Sequence, residues 1–462
     1  VFDTFCMTLG IEPEFVPSQD VADISYSSEP PSRQGSQGWI YHQPLALGFH
    51  DHEDVVPVSH GADEFPAVFA DKNGEVCGPL RCSVDLVANS FFFLSGGHEP
   101  RIEAEDGGGR ALYESSFFSK YDFPMDAVDV YREEFKQLIT RMWKQRGTDW
   151  APLSIWPDGH SFALTPTHDV DFIPLTKFDV LKKGAITVAR HAVRHRSPGD
   201  AVRSGSQFAY SLLRLRNPYR AIPRMLEREE ELGIGASYQV QSTPTHGVDV
   251  KYRIDDPEIR EYLSQIPRRG FDLCLHGSYT SAFDEQRFSQ EVDNFANAFG
   301  RPLGNRQHYL SFDYHSLYRT IERTGIQFDM SLGYPDMIGF RSAFSFAFFP
   351  YDRSSERPFD VLEIPLFAMD VTLRTYMGLQ LRAAWKRTEP LLEQISAAGG
   401  AGSICWHPII FGGARDPGYD TLFWMIVERA KELGGYVVAA SDINSHIRQI
   451  SSKYSSFSEL GR

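Results

Sequence analysis

Residues 161–175 read SFALTPTHDVDFIPL, and this stretch decides how the rest of the chain is read. A short apolar, β-favouring run stops at His168, Asp169 and Asp171, and apolar residues resume at Phe172. Length and composition fit a buried strand with a polar cluster at its C-terminal end. Alternate residues of a strand share a face, so the single spacer Val170 would aim Asp169 and Asp171 into one pocket.

The same texture recurs downstream. Strand-like runs GASYQVQ, FDLCLHG, NRQHYLSF, IQFDMSL, VLEIPLFAM, SICWHPIIF and YVVAASD follow, and segments with helical spacing lie between them. FDEQRFSQEVDNFANAFG, DYHSLYRTIERTG, LRAAWKRTEPLLEQISAAGG and YDTLFWMIVERAKELGG predict helices, the last two closing on glycine pairs. Such alternation implies parallel strands with crossover helices. Seven or eight units over about 300 residues predict an α/β fold, a (β/α) barrel of about seven parallel strands.

Residues 1–150 read differently. Short apolar runs are interrupted by clusters such as SSEPPSRQGSQG and EAEDGGGR. VDLVANSFFFLSGG reads as a packed helix. Residues 126–147 place Val128, Tyr131, Phe135, Leu138, Ile139 and Met142 at helical spacing. A smaller α+β domain ahead of a barrel spanning 151–462 is the expected organisation.

A net charge of −15 argues against nucleic-acid binding, which requires a basic footprint. The 34 Phe and 20 Tyr imply large cores or a carbohydrate-facing surface. Five scattered cysteines, with Cys77 and Cys82 lacking a second pair, do not form a zinc ribbon. They fit a reducing compartment. No apolar run reaches the roughly 18 residues of a membrane span, and no basic-then-apolar leader stands out. The expected location is cytoplasmic. Residues 177–224 carry eleven Lys or Arg against Asp179 and Asp200. They predict either a solvated helical insertion or a basic amphipathic surface touching the inner membrane or an anionic glycan.

Functional residues of a (β/α) barrel project from the strand C-termini. Here those ends carry His168, Asp169 and Asp171, then His276 with Tyr279, then Arg306, His308 and Tyr309. Asp329, Asp370 and His407 follow. Burying so much polarity at one rim is costly unless it acts. Carboxylate with imidazole is a ligand set for zinc, or for manganese, cobalt or nickel. A divalent ion with open positions makes water nucleophilic near neutral pH, and a carboxylate off the metal can take its proton.

THDVD, LHGSY, RQHYL and CWHP, in this order, resemble the motifs of the polysaccharide deacetylases (NodB-type, carbohydrate esterase family 4) over roughly residues 155–450. The preceding residues resemble a companion domain of divergent bacterial members. The resemblance implies a metal-dependent hydrolase that removes an acyl, chiefly acetyl, group from an N-acylated sugar or polysaccharide. It implies Asp169 as base and Asp171 and His276 as metal ligands. Arg306 would orient the base, the Tyr309 amide would meet the oxyanion, and His407 would be the general acid. The family's second metal histidine corresponds to Thr280, so His308 is the candidate third ligand. Tyr279, Thr280, Trp406, Asp329 and Arg341 are candidate pocket residues. Two alternatives stand beside this reading: an inactive barrel that binds a glycan or partner, favoured by Thr280, and a metal-independent hydrolase of a small amide.

Overall fold

The computed structural model describes residues 2–9, 24–27, 38–41, 58–60, 65–67, 81–82, 85–100, 109–152, 154–174, 177–193, 198–213, 220–411, 416 and 418–454. Cys77 and most of SSEPPSRQGSQG and EAEDGGGR lie outside them. All eight strand-like runs contribute to one sheet. Its strands are β1 (Phe162–Asp169), β2 (Ser237–Val240), β3 (Asp272–Gly277), β4 (Gly304–Gln307), β5 (Phe328–Asp329), β6 (Leu362–Glu363), β7 (Leu366–Met369), β8 (Ala401–Cys405) and β9 (Gly435–Val437). The order is β6-β5-β4-β3-β2-β1-β8-β7, every pair parallel, with β9 also on β1.

β6 and β7 are the two halves of one run, VLEIPLFAM, and they form the two ends of the sheet. The sheet therefore curls back on itself into an α/β barrel form. β1 is buried along its whole length, as its apolar run requires. It contains Pro166, which has no N–H for a ladder and is unusual in a central strand. Its position explains the tolerance. Residues 162–164 pair with β9 and 167–169 with β2, so Pro166 stands where one neighbour hands over to the other.

Helices Pro257–Arg268, Glu285–Phe299, Tyr314–Thr324, Leu381–Ala398 and Tyr419–Glu432 cross over between strands. Their apolar stripes, such as Leu317 and Ile321 or Leu422 and Ile426, are buried. Between β1 and β2 the chain makes three helices, Lys177–Val193, Pro198–Leu213 and Ile222–Leu232.

The residues before the barrel pack closely on it. Helix Ala127–Gln145 buries all six residues expected from its spacing. Phe93, Phe117 and Phe135 share one apolar cluster with Leu310, Phe312 and Phe344 of the barrel. At this seam Arg341 donates from Nε and Nη2 to the two oxygens of Glu99, at 2.8 and 2.6 Å, with both side chains fully buried. The guanidinium also stacks 4.7 Å from the Phe312 ring centroid.

Candidate metal centre

β1 stops at Asp169, and the route to Asp171 differs from simple strand alternation. Val170 N–H donates to Gln239 O and its side chain is buried, whereas Asp171 N–H turns back to Asp169 O at 3.0 Å. A tight turn, rather than a shared strand face, brings both carboxylates to the rim.

Asp171, His276 and His308 offer one ligand atom each, all within 4.8 Å of one another. Hydrogen bonds fix which ring nitrogen faces inward. His276 Nδ1 lies 2.8 Å from Arg306 O, which can only accept, so Nδ1 carries the proton. Its Nε2 then presents a lone pair to Asp171 Oδ1 at 3.3 Å. Neither of these two buried atoms has a hydrogen-bond partner. His308 Nδ1 lies 3.0 Å from Asp249 Oδ1, which again leaves Nε2 aimed at Asp171, 3.7 Å from Oδ2. Two imidazole nitrogens and a carboxylate converge on one point, a donor set that a divalent cation fits when it replaces the proton that Asp171 and Asp249 favour on His308.

Asp249 is the residue that sequence reasoning missed. Burial works against its charge, yet His308 and the amides of Thr245, Tyr279 and His246 outweigh this and hold it below the ordinary carboxylate range. Orienting a ligand histidine through its far nitrogen is the usual work of such a carboxylate. It lies in the loop after β2, in HGVDVKYR, where no spacing or periodicity marks it.

Asp169 sits on the other side of this group. Its Oδ1 accepts from Arg306 Nη1 at 2.9 Å, and the same nitrogen reaches Thr167 Oγ1 at 2.6 Å. Burial raises the Asp169 pKa, but Arg306, His276 and His407 more than reverse this, so the carboxylate stays ionised. A second cluster, Asp169 with Cys405 and His407, is also compact. A guanidinium already lies against Asp169 there, and burial pushes the Cys405 thiol up, so it is the poorer cation site.

His407 closes the group. Its Nδ1 lies 2.8 Å from Asp370 Oδ1, its backbone N–H donates to Asp370 Oδ2 at 3.1 Å, and its Nε2 faces Asp171 Oδ2 at 3.2 Å. Burial lowers its pKa, but Asp370 and Asp171 outweigh burial and hold the imidazolium well above the ordinary histidine range. Asp370 was visible in the sequence only as polarity at a strand end. Tyr309 and Leu310 both adopt positive φ, 61° and 53°, a strained backbone for residues with Cβ.

A cleft of about 450 Å³ opens over these groups. Asp169, Asp171, Asp249, His308, Tyr309 and His407 line it, and Arg110, Lys183 and Lys251 add positive charge. Several candidate pocket residues lie elsewhere. Thr280 caps a short turn and accepts from Arg287 Nη1 at 2.6 Å. Trp406 is fully buried, with its indole N–H on Tyr419 O. Asp329 is buried among Asn305 and Ser331, and Arg341 belongs to the Glu99 seam. Tyr279 stacks on His246 and meets Tyr309 edge-on, beside the cleft and not in its lining. His168 is a core residue held by Trp406 O and Glu229.

Residues 1–144 match the model of a family of unknown function, DUF7033. Among solved structures the chain is similar to a Mycobacterium smegmatis protein assigned as a polysaccharide deacetylase. The TM-score is 0.41 at 18% identity, over 65% of this chain and 95% of that one. It is likewise similar to Puue allantoinase, with TM-score 0.41 and 13% identity over 64% of this chain and 93% of that one. A Pseudomonas aeruginosa PAO1 protein assigned as a polysaccharide deacetylase gives TM-score 0.41 and 15% identity, over 64% and 94%. No curated protein matches the chain.

Proposed function

We propose that the chain is a metal-dependent hydrolase that removes an acyl group, acetyl in the first instance, from the nitrogen of an N-acylated sugar or polysaccharide. The observation that carries this reading is the pair of partnerless atoms, His276 Nε2 and Asp171 Oδ1, facing each other beside His308 Nε2. When bound, a divalent ion supplies Lewis acidity, acidifying water and polarising an acyl carbonyl. Asp171, His276 and His308 are the residues that would hold it.

The remaining steps belong to side chains of this chain. Asp169, kept ionised by Arg306, accepts the proton of the attacking water. His407, held by Asp370, gives a proton to the departing nitrogen. The Tyr309 amide is assigned to the oxyanion, consistent with its left-handed backbone at the cleft wall. Thr280, which favoured an inactive barrel, bonds Arg287 instead, and on this reading His308 serves as the third donor.

The test is acetate release from N-acetylated chitooligosaccharides and peptidoglycan fragments, before and after chelation and with zinc, cobalt or manganese restored. Release that chelator abolishes and metal restores is expected. Release that survives chelation would favour hydrolysis without metal, and binding with no release would favour the inactive barrel.

A further inference from the structure

We propose that helices Lys177–Val193 and Pro198–Leu213 dock this chain on an anionic lipid bilayer. The two helices pack on each other through small residues. A Cβ on Gly184 would strike the Phe208 ring, and Val180, Thr187 and Ser204 are buried. The opposite side of the first helix carries Phe178, Leu181, Ala185, Ile186, Ala189 and Val193, all exposed. An ordinary surface helix turns its apolar stripe inward and its charges outward. This one also leaves an apolar stripe in water.

Nine large hydrophobic side chains are exposed among the described residues, and five belong to this pair: Phe178, Leu181, Ile186, Val193 and Val202. Phe178, Val193 and Val202 are 70%, 77% and 73% exposed. Such a concentration of exposed apolar side chains on one helix pair marks an interaction surface.

Charge selects the occupant. Residues 177–224 carry a net +9 in a chain of net −15, so the rest of the molecule carries −24. The two helices themselves carry five Lys or Arg against Asp179 and Asp200, a net +3, so a second copy docking through the same face would set like charges against each other. Exposed apolar residues with Lys182 among them and Arg203 on the neighbouring helix suit acyl chains beneath anionic headgroups. Among the described residues no helix is long and apolar enough to cross a membrane, and the docking proposed for this pair is peripheral. The pair is tied to the barrel rim by Arg190 on Asp416 at 2.8 Å, and Lys183 lines the cleft. A docked chain would hold its cleft beside the lipid surface. The inference does not depend on the chemistry assigned to the cleft.

The experiment is flotation of the full chain with phosphatidylcholine vesicles and with vesicles containing about one third phosphatidylglycerol, at low and high salt. Binding to the anionic vesicles should exceed binding to the neutral ones by about ten-fold or more and weaken steeply with salt. Phe178→Ser with Ile186→Ser should lower it about ten-fold with an unchanged melting curve, since both side chains are already exposed. Lys182→Glu, a second exposed position, should lower it several-fold on anionic vesicles only. Equal recovery on both vesicles, no recovery, or a double variant that binds like the parent would overturn the proposal. So would light scattering that shows a dimer dissolved by the same substitutions. Acetate release from soluble oligosaccharides should be the same in all these variants, which keeps failure here separate from failure of the assigned chemistry.

Discussion

Two clusters in this molecule set a carboxylate against a basic side chain to opposite ends. At the seam, Arg341 donates two short, parallel hydrogen bonds to Glu99, and neither has a polar side-chain atom left over. At the rim, Asp171 Oδ1 and His276 Nε2 face each other at 3.3 Å, yet these atoms share no proton. A closed pair of this kind holds structure together. An open one presents donors that a divalent cation fits. Burial alone does not separate the two cases; the state of the last lone pair does.

Breaking each cluster should therefore have different consequences. Asp169→Asn removes the proposed base while leaving the three metal donors in place. Acetate release should fall by about 10²–10⁴-fold, while metal content by elemental analysis stays near that of the parent. A variant with full activity would sink the role given to Asp169. Arg341→Met strands Glu99 in the seam and should cost about 3–5 kcal/mol in urea unfolding, whereas metal content of the folded chain should not change. Adding Glu99→Met should recover most of that loss, and failure to do so would mean the seam does more than pair charges.

A third test sharpens the contrast through pH. Burial is the main influence on Asp129, which lies against Ser345 and Gln394, and it lifts the carboxyl to about 6 despite their hydrogen bonds. The folded chain thus holds this proton more tightly than the unfolded chain. Stability from this group is greatest below the unfolded value of 3.8 and falls as pH rises through about 6. The unfolding free energy of the parent minus that of Asp129→Asn should drop by up to about 3 kcal/mol across that window. A flat difference would mean that Asp129 is ionised throughout. The smallest effect should come from Asp249→Asn, which leaves His308 without its charged orienting partner. Metal affinity should weaken by about 10–100-fold in competition with a chelating dye, and an unchanged affinity would remove Asp249 from the centre.

Most of the barrel was legible because its strands and helices are local patterns. Apolar runs such as FDLCLHG carry no information from elsewhere in the chain, and each became a strand. The rim histidines and Asp169 were legible for the same reason, since each ends a strand. Asp249 was not, because a loop carboxylate acquires its partner only when β4 brings His308 beside it. The turn at Asp171 was misread as strand alternation, because Val170 looks the same in sequence whichever way the backbone turns. Arg341 looked like pocket polarity because Glu99, its partner, lies 242 residues away.

The central claim is that Asp171, His276 and His308 together hold one divalent ion, and metal stoichiometry of the dialysed chain tests it most directly. One zinc or cobalt per chain is expected, lost in His276→Ala and in His308→Ala and retained in Arg341→Met. No bound ion in the parent chain, or binding unchanged in both histidine variants, would contradict the account.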